Sequence, residues 1–87
     1  MEEPIFETKD FYTKLSKFEN ELIENMEYLK IYSNDKKKKA RTRQVIWSVL
    51  QTCQKIKEIT RDEDPSINEK IIFAYQCEEF ILKHFSN

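Results

Sequence analysis

The chain has 87 residues, of which 36% are charged and 13% aromatic, and it contains two prolines and no glycine. Disordered segments rarely carry so many aromatic residues, and a chain of this length has room for one domain with a modest core. Because glycine supplies the positive-φ positions of tight hairpins and phosphate loops, its absence argues against hairpin-rich β folds and glycine-rich phosphate sites. We therefore expect residues 1–87 to form one all-α domain, an antiparallel up-down-up bundle of three long helices.

The first predicted helix spans about residues 9 to 32, after a short acidic leader at 1–7 that we expect to be flexible. Thr8 or Asp10 can cap this helix with a side-chain oxygen. Its apolar residues recur at intervals of three and four, which is close to a coiled-coil seam. They are Phe11, Leu15, Phe18, Leu22, Met26 and Leu29. Ser33, Asn34 and Asp35 are typical turn residues and predict its end.

The second predicted helix spans about residues 37 to 60 and begins inside a run of lysines. The sequence leaves open whether residues 36–41 are helical or a flexible arm. One apolar face consists of Ile46, Val49, Leu50, Cys53, Ile56 and Thr60, widened by Trp47 and Ile59. Trp47 is the only tryptophan, and two interpretations remain open: a core residue that faces the first helix, or an exposed anchor for a partner.

The third predicted helix spans about residues 65 to 85. Asp64 followed by Pro65 favours a start there. Aspartate is a common helix cap, and proline is tolerated at the first helical position because the N–H that it lacks would have no partner within the helix. Ser66 with Glu69 offers an alternative capping box. The apolar band is too wide for one neighbouring helix, so a dimer remains open. Its members are Ile67, Ile71, Ile72, Phe73, Ala74, Cys77, Phe80, Ile81 and Phe85.

Short turns between antiparallel helices also predict which residues lie side by side. Two residues that are equally distant from the turn along the sequence lie at the same level of the bundle. The predicted neighbours are Ile56 and Ile72, Cys53 and Tyr75, Ile46 and Leu82, and Leu22 and Trp47. Apolar positions mostly find apolar neighbours in this arrangement, as a bundle requires.

The basic cluster is the most informative polar feature of the sequence. It consists of Lys36, Lys37, Lys38, Lys39, Arg41 and Arg43. Residues 31–61 carry a net charge of +7, whereas residues 1–30 and 62–87 each carry −4. Three interpretations remain open: contact with the phosphates of a nucleic acid, a nuclear-import address, or a solvated end that complements the C-termini of the first and third helices. No aromatic residue lies between Lys36 and Arg43, which weakens a single-strand interpretation.

The sequence offers no constellation for catalysis, and we expect no enzymatic activity, metal or cofactor. Cys53, Cys77 and His84 are the only soft metal ligands, and their spacing matches no zinc template. His84 is the only histidine that could serve a serine or cysteine nucleophile as a base. We expect both cysteines to be small buried apolar residues, and whether they touch is open.

These features predict a small non-enzymatic intracellular protein of the regulatory or adaptor type. We expect it to act through a helical face on a protein partner or on a second copy of itself. The alternative is a nucleic-acid-binding module that uses the basic cluster on phosphates, although the pI of 5.9 argues against a dedicated DNA coat. No apolar run is long enough for a membrane span, and the acidic N-terminus is unlike a signal peptide. We therefore expect a cytoplasmic location, or a nuclear one in a eukaryote.

Overall fold

Three helices account for almost all of the chain that the structure describes. The computed structural model describes the backbone of residues 3–31 and 35–85, and the side chains of residues 8–31 and 35–84. The helices are α1 (Glu3–Ile31), α2 (Lys36–Thr60) and α3 (Pro65–Phe85). The chain measures 49 × 17 × 15 Å, with α1 packed along α2 and α2 packed along α3. The predicted three-helix bundle is confirmed.

Helix α1 begins at Glu3, six residues earlier than predicted, and therefore includes residues 3–7 of the expected leader. Pro4 is compatible with a first helical turn, because the N–H groups of that turn have no partner within the helix. The acidic residues beside it favour the positive end of the helix dipole. Thr8 and Asp10 consequently lie inside the helix rather than at its cap. The predicted turn at Ser33 and Asn34 lies outside the described residues.

The predicted seam of α1 is confirmed by its burial. Leu15, Leu22 and Leu29 are buried, and the three other members, Phe11, Phe18 and Met26, are half-buried against the same core. The spacing of seven residues between successive leucines places them on one line that faces α2 and α3. The seam is thus the apolar side of α1 that packs into the core.

Helix α2 is the central element, because both other helices pack against it. Its buried residues are Thr42, Val45, Ile46, Val49, Thr52, Cys53 and Ile56. The sequence pattern did not identify Thr42, Val45 or Thr52. Thr42 is compatible with the core because its hydroxyl donates a 2.7 Å hydrogen bond to the carbonyl oxygen of Lys38.

The predicted apolar band of α3 divides into a buried stripe and an exposed one. Ile72, Tyr75 and Leu82 are exposed, whereas the preceding residues Ile71, Ala74 and Ile81 are half-buried or buried. The first three therefore lie at the surface, although the sequence placed them opposite the buried side of α2. One step along a helix turns the side chain by about 100°, which separates the two stripes.

The α2–α3 connection depends on Asp64, as the sequence predicted. One carboxylate oxygen of Asp64 accepts a 3.1 Å bond from the amide of Ser66 and a 2.6 Å bond from its hydroxyl. Because α3 begins at Pro65, Ser66 lies inside the helix and is not the cap that the alternative capping box with Glu69 requires. Arg61 and Asp62 before it adopt positive φ angles of 57° and 64°, positions that glycine usually occupies.

Candidate functional site: an exposed face of α2 and α3

Four of the seven exposed large apolar side chains in the described part of the chain lie on one side of α2 and α3. They are Trp47 (61% exposed), Ile72 (55%), Tyr75 (57%) and Leu82 (48%). On α3, residues 72, 75 and 82 are separated by three and seven positions, which aligns them along one stripe of the helix. We call this surface, which both helices form, the α2–α3 face. It consists of Arg43, Trp47, Leu50 and Gln54 of α2 and Ile71, Ile72, Tyr75, Glu78, Glu79 and Leu82 of α3.

A shallow groove between the helices joins the two halves of this face. Ile71 and Tyr75 line it from α3. The α2 side and the turn after it contribute Leu50, Gln54, Lys57, Glu58 and Asp62. Leu50 and Ile71 are half-buried and form the apolar part of its floor. Trp47 lies one helical turn from Leu50, and Leu82 lies two turns from Tyr75. Exposed apolar side chains therefore flank the groove along the bundle axis.

An ion pair crosses the face near its centre. A guanidinium nitrogen of Arg43 lies 2.9 Å from a carboxylate oxygen of Glu78 and donates a hydrogen bond to it. The Arg43 side chain is 48% exposed and that of Glu78 29% exposed, so solvent screens the pair. On the same stripe of α3, Glu79 is exposed and makes no ion pair with another described residue. The face thus combines apolar area with charges of both signs.

Trp47 does not pack against Leu22 as one interpretation of the sequence proposed. Leu22 is fully buried, while Trp47 lies on the side of α2 that faces away from the core. Val45, Ile46 and Val49 occupy the buried side of the same two turns. Of the two interpretations of Trp47, only the exposed position agrees with the structure.

The basic cluster is helical from Lys36 onward, and its charges point to several sides of α2. Arg41 donates a 2.7 Å hydrogen bond to Glu21 of α1, whereas Arg43 reaches across to α3. The ammonium group of Lys38 lies 3.9 Å from the centre of the Tyr28 ring, a cation–π contact. Within the described residues, Lys36 and Lys37 form no ion pair. Three members of the basic cluster, Lys38, Arg41 and Arg43, therefore contact side chains of the neighbouring helices.

The first turns of α2 are capped by Asp35, which accepts a 3.1 Å bond from the amide of Lys38. The Asp35 carboxylate also lies at the positive end of the helix dipole and offsets it, although the first turn itself contains no acidic residue. Lys36 and Lys37 are exposed at this end of the bundle. They are the members of the basic cluster that remain most available to an anionic partner.

A second, smaller apolar patch lies on α1. Ile23 and Ile31 are exposed there and share a shallow groove with Glu24, Glu27 and Tyr28. Tyr28 is already covered in part by Lys38, and Glu27 is paired with Lys30 at 3.7 Å. Fewer exposed apolar side chains lie on this patch than on the α2–α3 face.

Neither cysteine has the environment of a reactive thiol. Cys53 and Cys77 are free and buried. Burial, together with the charge of Glu19, raises the pKa of Cys53 from 9.0 to about 11, and burial also raises the pKa of Cys77. The exposed His84 ring lies against that of Phe80, with 4.4 Å between the centroids and 39° between the ring planes. Among the described residues, no group of three or more His, Cys, Asp or Glu side chains is arranged to hold a metal ion.

Searches against protein-family models, curated proteins and solved structures found no significant match to this chain.

None of the helices in the described part of the chain combines the length and the apolar character that crossing a bilayer requires.

Proposed function

We propose that this chain is a small non-catalytic protein-binding module, of the regulatory or adaptor type, that acts through the α2–α3 face. The observation that carries the proposal is the exposure of Trp47, Tyr75 and Leu82 on one surface beside the half-buried groove. Tryptophan and tyrosine are enriched among the residues that dominate binding energies, and a contiguous apolar patch with charged residues beside it is typical of an interface.

The form of the face favours a helical surface as its ligand. Two parallel ridges of side chains with a groove between them accept the apolar side of an amphipathic helix, in the way that a third helix packs on a helical hairpin. Arg43 and Glu78 lie beside the apolar residues and offer a charge of either sign to the edge of such a helix. Rim charges of this kind select partners and orient them more than they add affinity.

The alternative function, contact with nucleic-acid phosphates through the basic cluster, has less support. Arg41 and Arg43 already form hydrogen-bonded ion pairs within the chain, and Lys38 lies on the ring of Tyr28. A polyanion that recruited these side chains would have to replace those contacts. Lys36 and Lys37 favour the alternative, because they are exposed and form no ion pair with a described residue.

Site-specific photo-crosslinking in the cells that produce the chain tests the proposal. A photoreactive phenylalanine analogue replaces Tyr75 on the α2–α3 face or, as the matched control, the exposed Ile31 on α1. We expect a protein to be crosslinked from position 75 and not from position 31. Once identified and purified, that protein should bind the wild-type chain and bind the Trp47→Ala variant at least roughly tenfold more weakly. Equal crosslinking from both positions, or equal binding to the variant, would contradict the proposal.

A further inference from the structure

We propose that the partner of the α2–α3 face is a second copy of this chain, and that the two copies are related by a two-fold axis parallel to the helices. In this dimer α2 of each copy lies on α3 of the other, so that the two helical hairpins form a four-helix bundle. The inference rests on the proposed function, because it names the occupant of the same face. It also fixes which residues meet across the interface.

The first argument is the distribution of charge over the face. The segment that contains α2 carries a net charge of +7, and the segment that contains α3 carries −4. Among the charged residues of the face and its groove, Arg43, Lys57 and Glu58 belong to the α2 half, and Glu78 and Glu79 belong to the α3 half, so the first half is net positive and the second negative. A two-fold axis parallel to the helices places the positive half of one copy on the negative half of the other. The face is therefore complementary to itself, as a symmetric interface requires.

The second argument is helix direction. Because α2 and α3 of one chain are antiparallel, this axis also makes α2 antiparallel to α3 of the second copy. Every neighbouring pair in the resulting four-helix bundle is then antiparallel, which is the usual up-down arrangement. The positive end of each helix dipole then lies beside the negative ends of its two neighbours, which is electrostatically favourable. An axis perpendicular to the helices would instead place α2 on α2 and bring the two basic helices together.

The third argument is the position of Trp47. The groove is lined from Leu50 to Asp62 along α2 and the turn after it, and by Ile71 and Tyr75 on α3. Trp47 lies one helical turn beyond the Leu50 end of this groove, where the antiparallel α3 continues from Tyr75 toward Leu82. The two-fold axis preserves levels along the bundle. Trp47 of one copy therefore meets the exposed stripe between Tyr75 and Leu82 of the second copy.

The fourth argument is surface area. The chain exposes 6550 Å², whereas a compact protein of 10.6 kDa is expected to expose about 5500 Å². Its radius of gyration of 14.4 Å likewise exceeds the roughly 12 Å expected for this length. The excess of roughly 1000 Å² follows from the elongated shape of the chain and is not confined to one face. It is comparable to the 800 Å² or so that each partner buries in a standard interface, so a dimer would bring the exposed area of each copy close to that of a compact protein.

Sedimentation equilibrium of the full chain tests the inference. We expect a monomer–dimer equilibrium with a dissociation constant in the micromolar range or below. Trp47→Ala should raise this constant at least roughly 30-fold, and Ile31→Ala, which removes an exposed apolar side chain from α1, should change it less than about twofold. Circular dichroism establishes that both variants remain helical.

A charge pair of variants tests the orientation of the two copies. Glu79→Lys puts a positive charge opposite α2 of the second copy, and Glu24→Lys makes the same change in net charge on α1. Glu79→Lys should raise the dissociation constant roughly fivefold or more at low salt, with a smaller effect at high salt, while Glu24→Lys should leave it within about twofold. Equal effects of the two variants would overturn the proposed orientation.

Other results separate the two proposals. A strict monomer up to high micromolar concentration would overturn the homodimer. If Tyr75 then crosslinks to a different protein, the proposed function stands and only the identity of the partner changes. If a strict monomer also crosslinks equally from positions 75 and 31, both proposals fail. A dimer that Ile31→Ala disrupts and Trp47→Ala does not would transfer the interface to α1 and overturn this inference.

Discussion

The hydroxyl of Tyr12 in α1 donates a hydrogen bond to a carboxylate oxygen of Asp64, the residue that caps α3. These residues are 52 positions apart, so the bond joins the first helix to the start of the last one. The other carboxylate oxygen of Asp64 accepts both bonds from Ser66. Asp64 therefore links the capping of one helix to the packing of another.

Removing this hydroxyl should destabilise the bundle. Tyr12→Phe keeps the ring but loses a hydrogen bond to a charged group, and we expect the free energy of unfolding to fall by about 1 to 2 kcal/mol. Tyr75→Phe is the matched control, because its exposed ring lies on the α2–α3 face, and it should change stability by less than about 0.5 kcal/mol. Urea denaturation of the dilute monomer measures both, because Tyr75 would be covered in the proposed dimer. Equal effects of the two variants would show that the Tyr12 bond contributes nothing.

The α2–α3 connection should become more stable when glycine is introduced. Arg61 has a φ of 57° and adopts the left-handed conformation after the last turn of α2. Arg61→Gly removes the steric cost of this conformation, and we expect a gain of about 0.5 to 1 kcal/mol. Glu63→Gly, two positions later and without a positive φ, should instead lower stability, because it only adds freedom to the unfolded chain. Thermal unfolding of both variants measures these changes. A loss of stability in Arg61→Gly would contradict the prediction that the left-handed conformation of Arg61 carries a steric cost.

Burial of Cys53 predicts a dependence of stability on pH. Its pKa is raised from 9.0 to about 11 in the folded chain, mainly by burial, with a smaller contribution from Glu19 that Lys70 and Lys57 partly offset. Between these values the unfolded chain releases the thiol proton and the folded chain keeps it. The contribution to stability is therefore complete below pH 9 and is lost as pH rises toward 11.

Comparison with Cys53→Val isolates this effect, because the other groups that titrate in this range are common to both chains. We expect the wild type to lose stability relative to the variant from pH 9 to 11, by at most about 1.4 kcal/mol per pH unit. Denaturation curves recorded in steps of pH provide the test. Parallel stability curves for the two chains would show that burial leaves the thiol with its ordinary pKa.

The engagement of Arg41 and Arg43 within the chain predicts weak contact with nucleic acid. If only Lys36 and Lys37 neutralise phosphates, the logarithm of the affinity for a DNA duplex should fall with the logarithm of salt concentration with a slope of about −2. Replacing both lysines by glutamine should abolish this dependence, and replacing Lys14 and Lys17 in the same way should not. A slope of −4 or steeper that Arg41→Gln and Arg43→Gln reduce would favour the nucleic-acid alternative over protein binding.

The sequence predicted those features that depend on strong local patterns. Leu15, Leu22 and Leu29 recur at a spacing that only a helical seam explains, and Asp64 with Pro65 combines two independent signals for a helix start. The start of α1 at Glu3 was not predicted, because a proline among acidic residues is equally compatible with an extended leader. The left-handed Arg61 could not be predicted either, since no glycine or asparagine marks the position.

The candidate face was only partly predictable. The apolar band of α3 is too wide for one neighbour, but its spacing alone does not show which stripe is buried and which is exposed. Tyr75, which the sequence placed beside Cys53, is exposed in the structure. The basic cluster was prominent in the sequence, but only the packed helices reveal that Arg43 is paired with Glu78.

Trp47 is the only tryptophan, so its fluorescence tests the docking of the α2–α3 face most directly. Its emission should be that of a solvated indole in the dilute monomer and should shift to shorter wavelength as the chain concentration rises and the face becomes covered. Leu82→Ser, on the α3 half of the face, should move this shift to higher concentration, whereas Ile23→Ser on α1 should not. An emission maximum that stays at the solvated position over the whole range would contradict the proposal that a second copy covers this face.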